Sequence, residues 1–210
     1  TGTTYSRNCA LRQCEGEYIL VIDSDAYINA DAVMHLQTYL EQHSQCGLAV
    51  PKLIYPDGRY QISTDVFPTF IHKLKRFFFL KKMESNSLPI GDGVRVVDYA
   101  ISAFWMFPKS TLEHVGYLDE KIFYSPEDVD YCIRIWKHNL SINYLPAVTV
   151  IHDAQEISRS KGIKINWFTL SHAKGLLYLF WKHRYFFSGD KFRKSAVSYT
   201  HLRAHETSID

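Results

Sequence analysis

Five apolar residues in a row, Tyr18–Ile22, run directly into Asp23-Ser24-Asp25, and a segment of helical periodicity begins at Asn29. An unbroken apolar run of this length suits a parallel strand covered on both faces better than a strand with one wet face. Ahead of it, Ser6 is placed to cap a short helix running to Cys14, with Gly16 as its stop; after it, Val33, Leu36 and Leu40 share one helix face. Helix, strand, helix in that order predicts an α/β layered domain. The two aspartates then stand at the carboxyl end of a strand, where open α/β sheets hold their ligands.

The rest of the chain extends this pattern. The segment GLAVPKLIYPDGRYQIST reads as a strand and a hairpin turn about Pro56, Asp57 and Gly58, so the sheet is mixed. One strand is predicted over 94–107 and a short helix over 110–115, closed by Gly116. A stronger helix opens with Ser125 as N-cap, Pro126 at the first helical position and Asp128 where a capping box places its acid. Val129, Cys132, Ile133 and Trp136 form its buried stripe, and Asn139 supplies a left-handed cap. Two short strands, 141–145 and 148–152, follow.

Charge and cysteine usage narrow the classes. Among 210 residues, 24 Lys and Arg stand against 22 Asp and Glu, a balance that argues against nucleic acid as a partner. No apolar run approaches the roughly 18 residues of a membrane span. Cys9, Cys14, Cys46 and Cys132 lack CxxC spacing and read as buried, reduced thiols, consistent with a cytoplasmic protein. Two stretches are locally basic and aromatic. HKLKRFFFLKK gathers Lys73, Lys75, Arg76, Lys81 and Lys82 about Phe77, Phe78 and Phe79, and HAKGLLYLFWKHRYFF repeats the theme. Such stretches suit the headgroup level of an anionic bilayer, and equally suit helices that bury their rings and hold their lysines in water. Peripheral contact with the inner face of the cytoplasmic membrane is the resulting expectation.

Three groups of residues carry chemistry. Asp23 and Asp25, at i and i+2 on a bending chain, can converge on one divalent cation, or can form a solvated turn. Glu127, Asp128 and Asp130 crowd a helix N-terminus, where backbone N–H groups keep carboxylates ionised; Asp128 serves there as a cap, as a base, or as both. His152 ends the apolar strand AVTVIH, where an imidazole either packs or completes a metal shell.

In order, NCALRQCEGEYILVIDSDA, PKLIYPDGRYQIS and VDYAISAFWMFPKSTLEHVGYLDEKIFYSPEDVDYCIRIWKHNLSINYLPAVTVIH resemble the bacterial family 2 glycosyltransferases, in particular their rhamnosyl- and galactofuranosyltransferase-like branch. The resemblance covers roughly Ser6 to His152. It implies an α/β fold of the GT-A type, with a mixed central sheet flanked by helices, over residues 1–155. Residues 156–194 would be a basic, aromatic helical appendage and 195–210 a non-native tail. It also implies that the first strand units and the nucleobase-binding segment lie upstream of Thr1. Function follows in the same terms: inverting transfer of a sugar from a nucleoside-diphosphate sugar to a hydroxyl of a glycan or lipid-linked acceptor, in cell-envelope polysaccharide synthesis. Asp23 and Asp25 match the DxD that binds Mn2+ or Mg2+ and the nucleotide, with Asp25 the direct ligand. His152 matches the histidine of the metal shell. Asp128 matches the catalytic base, and Glu127 and Asp130 would orient acceptor and helix. The relatives' Ser-Gly-Ala run stands here as Ser102, Ala103 and Phe104, followed by Trp105, which predicts added bulk beside the donor-sugar pocket.

Two other classes are compatible with parts of the pattern. A non-catalytic nucleotide-sugar-binding module would keep the fold without needing Asp128. A phosphatase of the haloacid dehalogenase type also places DxD after an apolar strand, but the residues before IGDGVRVVD are polar where that fold needs a buried strand.

Overall fold

The computed structural model describes residues 2–69, 93–154, 167–186, 189 and 192. In chain order its elements are α1 (Thr3–Leu11), β1 (Tyr18–Ile22), β2 (Ala26–Tyr27), α2 (Ala30–Gln42), β3 (Cys46–Ile54), β4 (Tyr60–Gln61), β5 (Thr64–Asp65), β6 (Arg95–Val96), β7 (Tyr99–Ala100), β8 (Phe104–Pro108), α3 (Lys109–Val115), α4 (Glu127–Lys137), β9 (Ser141–His152) and α5 (Trp167–His183). The HKLKRFFFLKK stretch and the tail 195–210 lie outside the described residues.

A mixed sheet of seven strands organises the chain. Its path is β1-β8-β3-β9-β2, with β4 paired to β3 and β6 to β9. β8 is antiparallel to both β1 and β3, and β3 is parallel to β9, so β1, β3 and β9 point the same way. The residues after β1 and the end of β9 therefore share one edge. Short β2 sits across that edge, with Ala26 opposite His152.

The sheet buries both faces, as the apolar run of β1 requires. On one side Leu36 and Leu40 of α2 meet Ala49, Leu53, Phe104 and Met106. On the other, Ile133, Ile135 and Trp136 of α4 and Leu179 and Phe180 of α5 meet Leu48, Val50, Trp105 and Phe107. Phe104 and Trp105, adjacent on β8, thus point into opposite cores, and each is 1% exposed. Their bulk is taken up in these two cores, Trp105 stacking on Tyr131. Burying a side chain of this size contributes about 1.5–3 kcal/mol.

Local signals held where the chemistry is local. Asn29 caps α2 by accepting from the Ala32 N–H at 2.7 Å. Gly58 and Gly116 adopt φ of 82° and 81° in the hairpin and at the end of α3, and Asn139 a φ of 59° after α4. Five expectations need correction. Cys46 and Cys132 are buried, but Cys14 is only partly buried and Cys9 is exposed. Helix α1 begins earlier, with Gly2 as N-cap, Ser6 bonds the Gly2 carbonyl from inside the first turn, and the helix ends at Leu11 with Arg12 as its C-cap rather than running to Cys14 and a left-handed Gly16. The strand expected over 94–107 is broken into β6, β7 and β8, because β7 leaves the main sheet to pair with β5. The two strands expected at 141–152 are one, β9; its register against β3 jumps between Leu145 and Thr149 as it passes Pro146, which has no N–H for a ladder. Helix α4 starts at Glu127 with Pro126 as N-cap and no side-chain cap. A capping box would need the N-cap N–H, which proline lacks, and the Ser125 hydroxyl instead contacts His172 Nδ1 at 3.0 Å.

Candidate metal centre and the acidic helix start

Asp23 and Asp25 follow β1 into a turn closed by the Ala26 N–H bonding the Asp23 carbonyl at 3.0 Å. The pairing of β2 with β9 then brings His152 alongside. His152 Nε2 lies 3.3 Å from Asp25 Oδ1 and 4.0 Å from Asp23 Oδ2, and one ligand atom from each residue falls within 4.8 Å of the other two. The histidine is 6% exposed, whereas the carboxylate side chains are 38% and 40% exposed. A ligand arriving from solvent meets the aspartates first.

Gln61 orients this imidazole. Its Oε1 lies 2.9 Å from His152 Nδ1, so the Nδ1–H is donated to the amide oxygen and Nε2 faces the aspartates. A metal ligand binds through an unprotonated ring nitrogen, and with Nε2 in that form three acceptor atoms face one another, an arrangement that a cation among them would stabilise. Two carboxylates and an imidazole form a donor set suited to a divalent ion such as Mn2+ or Mg2+. The residues present therefore fit a metal.

Arg7 ties this cluster to the start of α4. Its Nη2 donates to Asp23 Oδ1 at 2.7 Å, and its Nη1 to Glu127 Oε1 at 3.0 Å and to Ser102 Oγ at 2.6 Å. Ser102 Oγ in turn donates to Glu127 Oε1 at 3.0 Å. Helix α1 is held in place for this by its other side chains. The Thr4 hydroxyl bonds the Ile122 carbonyl, and Asn8 exchanges hydrogen bonds with Leu118 at 2.9 and 3.0 Å. Arg7 is not a site residue in the sequence reading, and Ser102 enters it only as the start of the run before Phe104, with no role of its own. The signal available was one arginine beside two buried polar residues, Thr4 and Asn8, on a short helix.

The three acids of α4 part ways. Glu127 is 6% exposed; burial, then the charge of Asp128, raise its pKa to about 7 against the opposing pull of Arg7. Asp130 is fully buried and receives Nε of Arg134 at 3.0 Å, Nζ of Lys182 at 2.6 Å and Nε2 of His183 at 2.8 Å. It serves α5 rather than the metal cluster. Asp128 is the one of the three that is not buried; it is partly exposed, with Oδ1 accepting from the Val129 N–H at 2.8 Å. Burial pushes the thiols of Cys46, to about 12, and Cys132 well above the ordinary value, so neither is poised as a nucleophile.

Helix α5 packs against the loop feeding this acidic start. A Cβ on Gly175 would collide with the Ser125 carbonyl and lie 3.0 Å from Pro126 Cδ, so only glycine lets the two backbones approach this closely. Lys182 Nζ also donates to Asp119 Oδ2 at 2.6 Å, where Tyr178 O–H donates at 2.9 Å.

Comparison with known proteins adds to this geometry. Residues 1–116 match the family model described as Glycosyl transferase family 2. Among curated proteins, the chain is similar to the low-salt glycan biosynthesis hexosyltransferase Agl10 of Haloferax volcanii, at 27% identity over 197 residues, 92% of this chain and 58% of the relative. It thus spans less than two thirds of that relative's length. Among solved structures, the mannosyltransferase PcManGT from Pyrobaculum calidifontis, in complex with GDP-Man and Mn2+, is similar at TM-score 0.54 and 16% identity, over 96% of this chain and 50% of that one. GalNAc-T7 with UDP, GalNAc and Mn2+ is similar at TM-score 0.52 and 11% identity, over 72% and 30%. At these identities the likeness carries the fold.

Proposed function

The chain belongs to glycosyl transferase family 2 and has the GT-A type of fold, and from that premise we propose that it is the core of an inverting glycosyltransferase acting on a nucleoside-diphosphate sugar. Asp25, His152 and Asp23 would hold the divalent cation, which when bound supplies charge neutralisation for a departing diphosphate. The solved neighbours that hold GDP-Man or UDP together with Mn2+ support that donor class and Mn2+ as the first ion to try.

Asp128 is the base in this reading. The observation that carries it is the difference in burial on α4: Glu127 is buried and bonded to Arg7 and Ser102, Asp130 is buried and bonded to α5, and Asp128 is the partly exposed acid at the helix start. The Asp128 carboxylate takes the proton of an acceptor hydroxyl as its oxygen attacks the anomeric carbon. The bond from that carbon to the diphosphate oxygen breaks on the opposite face, releasing the nucleoside diphosphate and inverting the centre. Arg7 fixes Asp23 and Glu127 relative to each other, so donor-side and acceptor-side carboxylates keep their spacing through the reaction. A hydroxyl of a glycan or lipid-linked glycan is the acceptor.

Replacing Asp128 by Asn in the full-length protein tests this. Transfer should fall by roughly 10²–10⁴-fold, with affinity for the nucleotide sugar and Mn2+ little changed. Transfer at near wild-type rate would remove Asp128 from the role.

A further inference from the structure

Helix α5 carries an apolar row on its outward face. Leu170 is 60% exposed, Leu177 71% and Trp181 72%. At i, i+7 and i+11 they fall along one line of the helix, and exposed Lys174 stands on that line between them. Trp181 then joins Lys182, Arg184 and Phe186 around one open depression at the helix end. The inward face is fully engaged, with Leu179 and Phe180 in the core, Gly175 and His172 against Ser125, and Lys182 and His183 on Asp130. The row is therefore not a frayed core face but a second surface on a docked helix.

Charge says what such a surface fits. On the described helix and just past its end, Lys174 and Arg184 are exposed and basic, and the sequence holds no acidic residue between Glu156 and Asp190. A second copy of the chain seated on this face by a two-fold axis would bring these charges toward their own kind. An anionic lipid surface takes both features: aliphatic and indole side chains at the acyl boundary, and lysine and arginine at the phosphates. The helix would lie in the plane of the bilayer, since no described helix is long and apolar enough to cross one. We propose that the outward face of α5 docks on an anionic bilayer and, through its inward contact with Ser125, holds the Glu127–Asp128 turn beside that surface. A lipid-linked acceptor hydroxyl would then be presented where Asp128 can reach it; this last clause rests on the glycosyl-transfer reading above.

The test uses the full-length protein and two vesicle preparations, phosphatidylcholine alone and phosphatidylcholine with phosphatidylglycerol. Wild type should co-sediment with the mixed vesicles, less so as salt rises, and bind the neutral ones weakly. Leu177→Ser combined with Trp181→Ser should weaken binding by about tenfold or more, and Lys174→Glu by about fivefold, with unchanged melting temperatures because these side chains are exposed. Equal binding of wild type and the double variant, or no binding to mixed vesicles, overturns the proposal. So does a dimer in sedimentation velocity that the double variant abolishes, since the row would then belong to a second copy. Asp128→Asn should bind vesicles as wild type does while losing transfer, and the double variant should keep transfer to a soluble acceptor. Failure of the docking surface and failure of the catalytic reading are thereby separable.

Discussion

Two clusters of carboxylate and histidine lie on this fold, and they are built in opposite ways. Around Asp130 every oxygen has donors: Arg134 on one, Lys182 and His183 on the other. His183 is fixed as the Nε2–H tautomer, donating to Asp130 while its Nδ1 lies 2.8 Å from Lys137 Nζ. Around Asp25 no lysine or arginine donates among the described residues, and Gln61 takes the opposite ring nitrogen of His152, Nδ1, leaving Nε2 toward the carboxylates. Similar residue types thus make a donor-saturated node in one place and, in the other, the cluster proposed to hold a cation. What separates them is the balance of donors to acceptors, and the tautomer each neighbour imposes.

The largest expected effect bears on the saturated node. Asp130→Asn leaves Lys182 and Arg134 facing a neutral amide in a buried place, and should cost about 3–5 kcal/mol of stability. Chemical denaturation measures it, and Mn2+ affinity should change little. If metal affinity falls while stability does not, Asp130 belongs to the open site and the contrast fails.

Acid sharpens the same contrast. Burial opposes the ionised form of Asp130, but the His183 hydrogen bond and the charges of Arg134 and Lys182 prevail and hold it at about 2, against an ordinary 3.8. A depressed carboxylate contributes in full above its ordinary value and loses that contribution as pH falls toward 2, here about 2 kcal/mol. Burial holds His183 below its ordinary 6.5, so as pH falls through 6.5 the unfolded chain gains the proton first. Both slopes run the same way. The protection factors of α5 amides, taken from hydrogen exchange corrected for its intrinsic pH dependence, should fall as pH drops from 6.5, and His183→Gln should remove the upper part of that dependence.

The smallest effect concerns the open site. Gln61→Leu removes the acceptor that fixes the His152 tautomer without touching a ligand atom, and should weaken Mn2+ binding by about tenfold by calorimetry at constant pH. Gln61→Glu, which restores an acceptor, should recover most of it. Loss of stability without loss of metal affinity would make Gln61 a packing residue only.

Much of the candidate site was legible in one dimension because its signals are local. The apolar run of β1 announces a buried strand, and the change to Asp-Ser-Asp marks its end. Asn29, Gly58 and Gly116 declare a cap, a turn and a stop through their own backbone chemistry. Arg7, Gln61 and Ser102 were not legible. Each is an ordinary polar residue until a distant element meets it, Arg7 across the 120 residues that separate it from Glu127 and Gln61 across 91 to His152. The acids of α4 show the same limit in reverse: the sequence marks out Asp128 by its place in the first turn, but only packing sends Glu127 to Arg7 and Asp130 to α5 and leaves Asp128 partly exposed.

Sequence alone determined the layered α/β character, the place of the aspartates at a strand end and the family, because periodicity, turn chemistry and motif order are properties of neighbouring residues. Tertiary structure alone decided the register of β2 on β9 that sets His152 beside Asp25, and the docking of α5 that makes Asp130 a structural acid. Those outcomes depend on which donors and acceptors meet once water is excluded, and that pairing is written in no single stretch of the chain.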